Sequence, residues 1–262
     1  MLTGTVVPLV TPLTPTGRVS ADGVRRLVDS VRDGVVALLP ALSSGEGWRL
    51  SRDQWTEVVG WAEEFSGDLP VLAGVTLPTT AEVVQRCRLA ADLGVDAVVI
   101  TAPFDPEATQ ETIFRHYATV REAVALPIMV YNENVLSGND ADAPTLRRIC
   151  ALPDVVGVKE SSGSTALTRE LVAALPDVPV FQGWEHLLTS VAGVAGLIGP
   201  LSNLEPDLCT AALVDPTPDR QSEVDAACAR HGLLRDDWYR EVKRELCRRG
   251  VLDTALTVEE LS

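Results

Sequence analysis

Lysine is almost absent from this chain. Against 20 arginines there are two lysines, Lys159 and Lys243. Lys159 closes the run Val155-Val156-Gly157-Val158, which reads as a buried strand, whereas Lys243 sits in a stretch of helical spacing near the end. A lysine delivered to the apolar mouth of an enclosed fold is desolvated, and desolvation lowers an amine's pKa toward neutrality. An unprotonated amine attacks a carbonyl carbon and forms a Schiff base. An isolated lysine after a strand more often reaches water or pairs with a carboxylate. Here the near-exclusion of lysine elsewhere, together with the neighbours below, favours the chemical reading.

Tyr131 ends the run that precedes the Lys159 strand, so the two side chains are expected side by side. A Schiff-base reaction moves several protons to and from the carbinolamine oxygen, and a phenol held by hydrogen bonds can relay them. Ser43, Ser44 and Gly45 offer two hydroxyls and a flexible backbone whose N–H groups can wrap a carboxylate without a full positive charge. That combination suits a 2-oxo acid. Taken singly, the tyrosine reads as packing and the Ser-Ser-Gly as a plain turn; the grouping carries the argument. The histidines His116, His186 and His231 lack metal-ligand spacing, and no nucleophile elbow or P-loop is present. Nothing in the sequence calls for a cofactor or a metal.

These residues need elements to position them. Short β-branched runs recur at residues 5–10, 35–39, 71–73, 97–100, 128–131, 155–159, 178–181 and 196–198, and segments of helical period lie between them. The expected helices span 22–32, 53–65, 81–93, 111–124, 144–152, 165–175 and 185–192, with another from Pro206. Ser51 with Gln54, and Thr79 or Thr80, supply start signals; Gly34, Gly94, Pro127, Pro153 and Pro176 supply stops. Strands apolar on both faces are parallel strands covered by helices. Eight such units close into a (β/α)8 TIM barrel, expected over residues 1–215, with a short C-terminal helical appendage over 216–262. A doubly wound sheet is disfavoured by the missing Gly-rich loop after the first strand. In a barrel the chemistry sits at the C-terminal strand ends, which adds Phe104, Asp105, Gly183, Glu185 and Gly199 to the candidates.

Composition narrows the partners. A formal charge of -15 and the absence of a basic stripe oppose nucleic acid. No apolar run approaches the roughly 18 to 20 residues that cross a bilayer, and the start of the chain lacks signal-peptide character, so a cytoplasmic enzyme is expected. The five cysteines are scattered and read as small buried hydrophobes. The substrates expected are therefore small molecules.

In order and spacing, Gly4-Thr5, Thr11-Pro12, Ser43-Ser44-Gly45-Glu46, Tyr131-Asn132, Gly157-Val158-Lys159-Glu160 and Val242-Lys243 resemble the dihydrodipicolinate synthase/N-acetylneuraminate lyase family of class I aldolases. The resemblance implies that Lys159 forms an iminium with pyruvate or a related 2-oxo acid, that Tyr131 and Ser43 relay protons, and that Ser44 with nearby amides holds the carboxylate. It implies a homo-oligomer, dimer or tetramer, although the short C-terminal part departs from the usual tetramer-forming pattern. Leu136, within Leu136-Ser137-Gly138, stands where synthase members carry an arginine, a form more like the sugar-acid lyases. Asp105 stands in place of the family's second relay tyrosine, with Phe104 beside it. Glu133-Asn134 follows Tyr131-Asn132 where a proline is usual, and Pro200 replaces a hydroxyl. The expected activity is a carbon–carbon lyase that makes or cleaves the bond between a pyruvate-derived enamine and an aldehyde, a polar, sugar-acid-like or specialised one, with Glu185 and His186 reading its hydroxyls. The alternatives are a deoxy-sugar-acid dehydratase using the same Schiff base, dihydrodipicolinate synthesis, and a non-catalytic 2-oxo-acid-binding homologue. A proton-relay role for Glu46 or Asp105 also stands open at this point.

Overall fold

Strands that are apolar on both faces bury themselves only if the sheet has no free edge or is covered by helices, and in the computed structural model, which describes residues 2–261, both happen. The strands are β1 (Gly4–Val7), β2 (Ala37–Leu38), β3 (Leu72–Val75), β4 (Ala97–Thr101), β5 (Ile128–Asn132), β6 (Val155–Glu160), β7 (Val180–Gln182) and β8 (Gly196–Leu197). All pairings are parallel and run in the order β2-β1-β8-β7-β6-β5-β4-β3. A parallel bridge between Leu38 and Val71 joins the two ends, closing the sheet into a TIM barrel.

The helices are α1 (Ala21–Val31), α2 (Arg52–Phe65), α3 (Thr80–Asp92), α4 (Gln110–Ala123), α5 (Ala143–Cys150), α6 (Thr165–Ala174), α7 (Pro206–Val214), α8 (Pro218–Arg230) and α9 (Trp238–Arg248). Their starts follow local chemistry. Ser51 caps α2 in a capping box, its Oγ accepting from the Gln54 N–H at 3.1 Å while Gln54 Oε1 accepts from the Ser51 N–H at 3.0 Å. Thr79, not Thr80, caps α3 in the same way. The five cysteines all lie on helices, Cys209 included, and are free thiols.

Alternation along the strands sorts side chains into two cores. Val6, Leu39, Val99, Met129, Tyr131, Phe181 and Ile198 fill the barrel interior, while the larger cluster lies between strands and helices. Gly157 leaves room inside the barrel: a Cβ there would stand 3.0 Å from Met129 Cε.

One expected helix does not form. Residues 185–192 make a single 3-10 turn, Glu185–Leu187, followed by turns. The Glu185 carboxylate points inward to accept from the Leu201 N–H at 2.9 Å, so the segment cannot present an amphipathic helix to the sheet. The cover comes from α8 instead, whose Gln221 accepts from the Thr189 N–H at 3.0 Å and donates to the Glu185 carbonyl at 3.0 Å. The expected division at residue 215 falls between α7 and α8. Among the described residues no helix is long and apolar enough to cross a membrane.

Candidate active site

Register decides what meets at the barrel mouth. Thr101, Tyr131, Lys159 and Phe181 are successive partners on β4, β5, β6 and β7, so Tyr131 and Lys159 share one level. Lys159 is 3% exposed, and its Nζ lies 4.0 Å from the centroid of the Tyr131 ring. Burial lowers the amine from an ordinary 10.5 to about 7, against the opposing pull of the Glu185 and Glu133 carboxylates. That difference amounts to about 5 kcal/mol against the ammonium form. A cation over an aromatic face returns about 0.5 to 2 kcal/mol, too little to restore the ordinary value.

The Tyr131 hydroxyl meets Ser43 Oγ at 3.3 Å. Burial, then the Glu133 carboxylate, raises the phenol's pKa, and the Ser43 and Ser161 hydroxyls partly offset this. Ser161 Oγ is close enough to act on the phenol but has no bond of normal geometry. Gly183 makes that position possible, because a Cβ there would lie 1.7 Å from Ser161 Oγ. The phenol is therefore a protonated donor at neutral pH, flanked by two hydroxyls.

The carboxylates around the amine are fixed by backbone donors. Glu133, 4% exposed, accepts from the Leu136 N–H at 2.8 Å and the Ser137 N–H at 3.0 Å. Glu185, 6% exposed, is held by Leu201, and burial raises its pKa. Glu160, next to the lysine, turns away and accepts from Asn132 Nδ2 at 2.8 Å and from the Ser162 N–H at 2.7 Å, which locks the ends of β5 and β6 together.

A cavity of about 450 Å³ opens above these groups. Of the residues singled out in the sequence, Ser43, Ser44, Tyr131, Glu133, Leu136, Lys159, Gly183, Glu185, His186 and Pro200 line it. Four others do not. Gly45 sits behind the wall, where a Cβ would be 2.8 Å from the Leu9 carbonyl oxygen, and its own carbonyl accepts from the Thr11 hydroxyl at 2.7 Å. Gly199 backs the Glu185 carboxylate, with room for no Cβ (2.4 Å to Oε1). Phe104 and Asp105 are drawn outward: the Phe104 N–H donates to the Pro78 carbonyl, and Asn139 Nδ2 donates to the carbonyls of Pro103 and Asp105 at 2.8 and 3.0 Å. Asp105 is exposed, its carboxylate accepting from the Glu107 N–H, and it does not line the cavity.

Glu46 likewise does not line the cavity. Fully buried and at φ +56°, it pairs at 2.5 Å with the fully buried Lys243 of α9 and accepts from the Val258 N–H at 2.7 Å. Lys243 also donates to the Leu256 carbonyl at 2.9 Å. Burial lowers the Lys243 amine even with Glu46 beside it. This pair fastens the C-terminal part onto the loop after β2.

Sequence reasoning missed what that fastening brings. Leu233, Leu234, Asp236, Trp238 and Tyr239, from the α8–α9 connector and the start of α9, form one wall of the cavity. Trp48 and Arg49 complete it, with Arg49 donating to the Tyr239 hydroxyl at 2.9 Å. Trp48 and Arg49 directly follow the Ser43–Glu46 loop, so the strand-end rule, carried a few residues further, reaches them. Trp238 and Tyr239 follow no strand and carry no such signal.

The arrangement is an amine lowered toward neutrality beside a protonated phenol at the barrel mouth. The dihydrodipicolinate synthetase family model matches residues 1–226. The chain belongs to that family. A 4-hydroxy-tetrahydrodipicolinate synthase from Methylococcus capsulatus is 32% identical over 222 residues, 81% of this chain and 76% of that protein. Another from Koribacter versatilis is 33% identical over 211 residues, 78% and 70% of the two chains. The chloride-inhibited dihydrodipicolinate synthase of Acinetobacter baumannii, solved with pyruvate, superposes with a TM-score of 0.91 at 25% identity, over 99% of this chain and 92% of that one. A Clostridium difficile structure, CdNal in complex with mannosamine, shares the fold at TM-score 0.85 and 22% identity, covering 96% and 90%. As a member of this family the protein is a carbon–carbon lyase of the class I aldolase type.

Proposed function

We propose that Lys159 forms a Schiff base with pyruvate or a related 2-oxo acid and that the resulting enamine makes or breaks a carbon–carbon bond with an aldehyde. The observation that carries this reading is the buried amine, lowered to about 7, at 4.0 Å from the ring of a phenol that stays protonated. The amine adds to the C2 carbonyl, the carbinolamine oxygen leaves as water, and an iminium remains. Tyr131 supplies and recovers the protons for these steps, with Ser43 as its hydrogen-bonded extension. Ser44, with backbone N–H groups of the same loop, holds the carboxylate. Loss of a C3 proton to the relay gives an enamine, and the protonated imine nitrogen serves as the electron sink. Attack of C3 on the aldehyde carbon forms the new bond, the aldehyde oxygen takes up the proton, and water releases the product from Lys159.

The finer choice of partner draws on the walls. Glu133 and Glu185 flank the amine, so a second strongly anionic group close to the reacting carbon is disfavoured. Leu136 on the cavity wall offers no cation where synthase-type members of the family carry arginine. Both features favour an uncharged aldehyde substituent over aspartate semialdehyde, whether the sugar-acid-like one expected from sequence, whose hydroxyls Glu185 and His186 would meet, or a less polar one. Assembly as a homo-oligomer belongs to the same proposal.

The test is borohydride reduction in the presence of pyruvate, read by intact mass and peptide mapping. The expected result is one reduced pyruvate adduct on Lys159, absent in Lys159→Met. No adduct with pyruvate or any of a panel of 2-oxo acids would leave a non-catalytic binding protein as the better account.

A further inference from the structure

The amine and the relay explain the floor of the cavity but not its outer wall. Aromatic residues are only 5% of the chain, five of them tryptophan, yet Trp48, Trp184 and Trp238 all line this one cavity. Tyr239 joins them, edge-on to Trp238 at 5.7 Å and to Trp48 at 6.1 Å between ring centroids. At the rim, Val135 is 75% exposed, Leu234 70% and Trp184 37%, apolar surface gathered where a substrate enters. The wall's guanidinium is already committed: Arg49 binds the Glu259 carboxylate at 3.2 Å and the Tyr239 hydroxyl, so it is not free to clamp an acid. Trp238 Nε1 is buried and, among the described residues, has no acceptor.

We propose that this outer half is an aromatic subsite and that the aldehyde partner carries an aryl or comparably bulky apolar substituent, in place of a polyhydroxy chain. The inference rests on the Schiff-base reading above and narrows its partner. Ring faces and edges recognise a flat apolar group by burial and by offset or edge contact, and hydroxyl groups pressed against them would lose water without gaining partners. Much of this wall, from Leu233 to Tyr239, lies beyond residue 226, where the family match stops, so it belongs to the part of the cavity in which this chain is least constrained by the family chemistry.

With benzaldehyde as the probe the reaction balances without any further reagent. The pyruvate methyl carbon bonds to the aldehyde carbon, its proton ends on the aldehyde oxygen, and the water consumed in releasing Lys159 equals the water lost in forming the iminium. The product is 4-hydroxy-2-oxo-4-phenylbutanoate.

The experiment compares benzaldehyde with glyceraldehyde as partners for pyruvate on the full-length protein, with product mass and kcat/KM as readouts and borohydride trapping of pyruvate run in parallel. The expected result is a preference for benzaldehyde of at least about tenfold, the size of discrimination an apolar pocket achieves. Trp238→Ala and, on the more exposed side, Trp184→Ala should each reduce that preference by about tenfold; Trp184→Ala keeps the test available if Trp238→Ala fails to fold. Trapping on Lys159 with glyceraldehyde preferred, or with a preference that neither variant alters, overturns the aromatic subsite and leaves the Schiff-base function standing. Failure to trap pyruvate overturns both.

Discussion

Replacing Lys243 by methionine removes one half of a fully buried ion pair and leaves the Glu46 carboxylate at 0% exposure with only the Val258 N–H to satisfy it. The Leu256 carbonyl loses its donor in the same step. Stranding one member of a buried pair costs about 3 to 5 kcal/mol. For a domain of this size, each kcal/mol lowers the melting temperature by about 2 to 4 °C, so Lys243→Met should melt about 6 to 20 °C below the parent. The double variant Glu46→Gln/Lys243→Met removes both charges and should recover a substantial part of that loss, since replacing both partners costs far less than stranding one. The assay is a thermal melt with urea unfolding on parent, both single variants and the double. Because the pair fastens α9, which brings Trp238 and Tyr239 to the cavity, the single variant should also raise KM for the aldehyde more than it slows pyruvate trapping. A single variant within about 1 kcal/mol of the parent, or a double variant worse than either single, would refute the reasoning.

Other expectations follow from the same geometry. Only the neutral amine is a nucleophile, and Lys159 is lowered to about 7, so kcat/KM for pyruvate should fall about tenfold per pH unit below that value and level off above it. Measurement from pH 5 to 9 checks this; an inflection near 10 would contradict a desolvated amine. Between about 7 and 10.5 the unfolded lysine binds a proton that the folded one does not, so this residue's contribution to stability rises with pH across that window. Lys159→Met should accordingly be more stable than the parent at pH 7, by an amount that shrinks toward pH 10.5, as paired melts would show. Tyr131→Phe keeps the ring beside the amine but loses the relay, and should slow adduct formation by about 10²- to 10⁴-fold with an unchanged melt. Asp105→Asn, outside the cavity, should leave trapping within about twofold of the parent; a larger loss on a variant with an unchanged melt would return the loop after β4 to the site.

The floor of the site was legible from residue type and strand-end position. The positions of Lys159, Tyr131, Ser43 and Ser44 at the cavity could be read without coordinates because closed barrels gather strand ends and the loops after them at one mouth. The eight-unit repeat fixed the barrel for the same local reason: apolar runs of strand length alternate with helical periods, each bounded by caps and breakers. Where prediction failed, a non-local contact outweighed the local pattern. Residues 185–192 have helical spacing, but the demand of Leu201 for the Glu185 carboxylate, and the arrival of α8 as cover, left only a single turn. Phe104 and Asp105 follow a strand as rule-abiding candidates should, yet Asn139, more than 30 residues away in the chain, holds their loop clear of the cavity.

The sequence alone determined the repeating secondary structure, the barrel it closes into, and the amine and phenol at its mouth, because each depends on chemistry within a few residues or on a period that repeats. The tertiary structure decided which loops line the cavity and that Trp238 and Tyr239 of α9 join Trp48 and Trp184 in its aromatic wall. Those depend on contacts such as Glu46 with Lys243, separated by 197 positions, and no local pattern records which distant partner a buried carboxylate will meet.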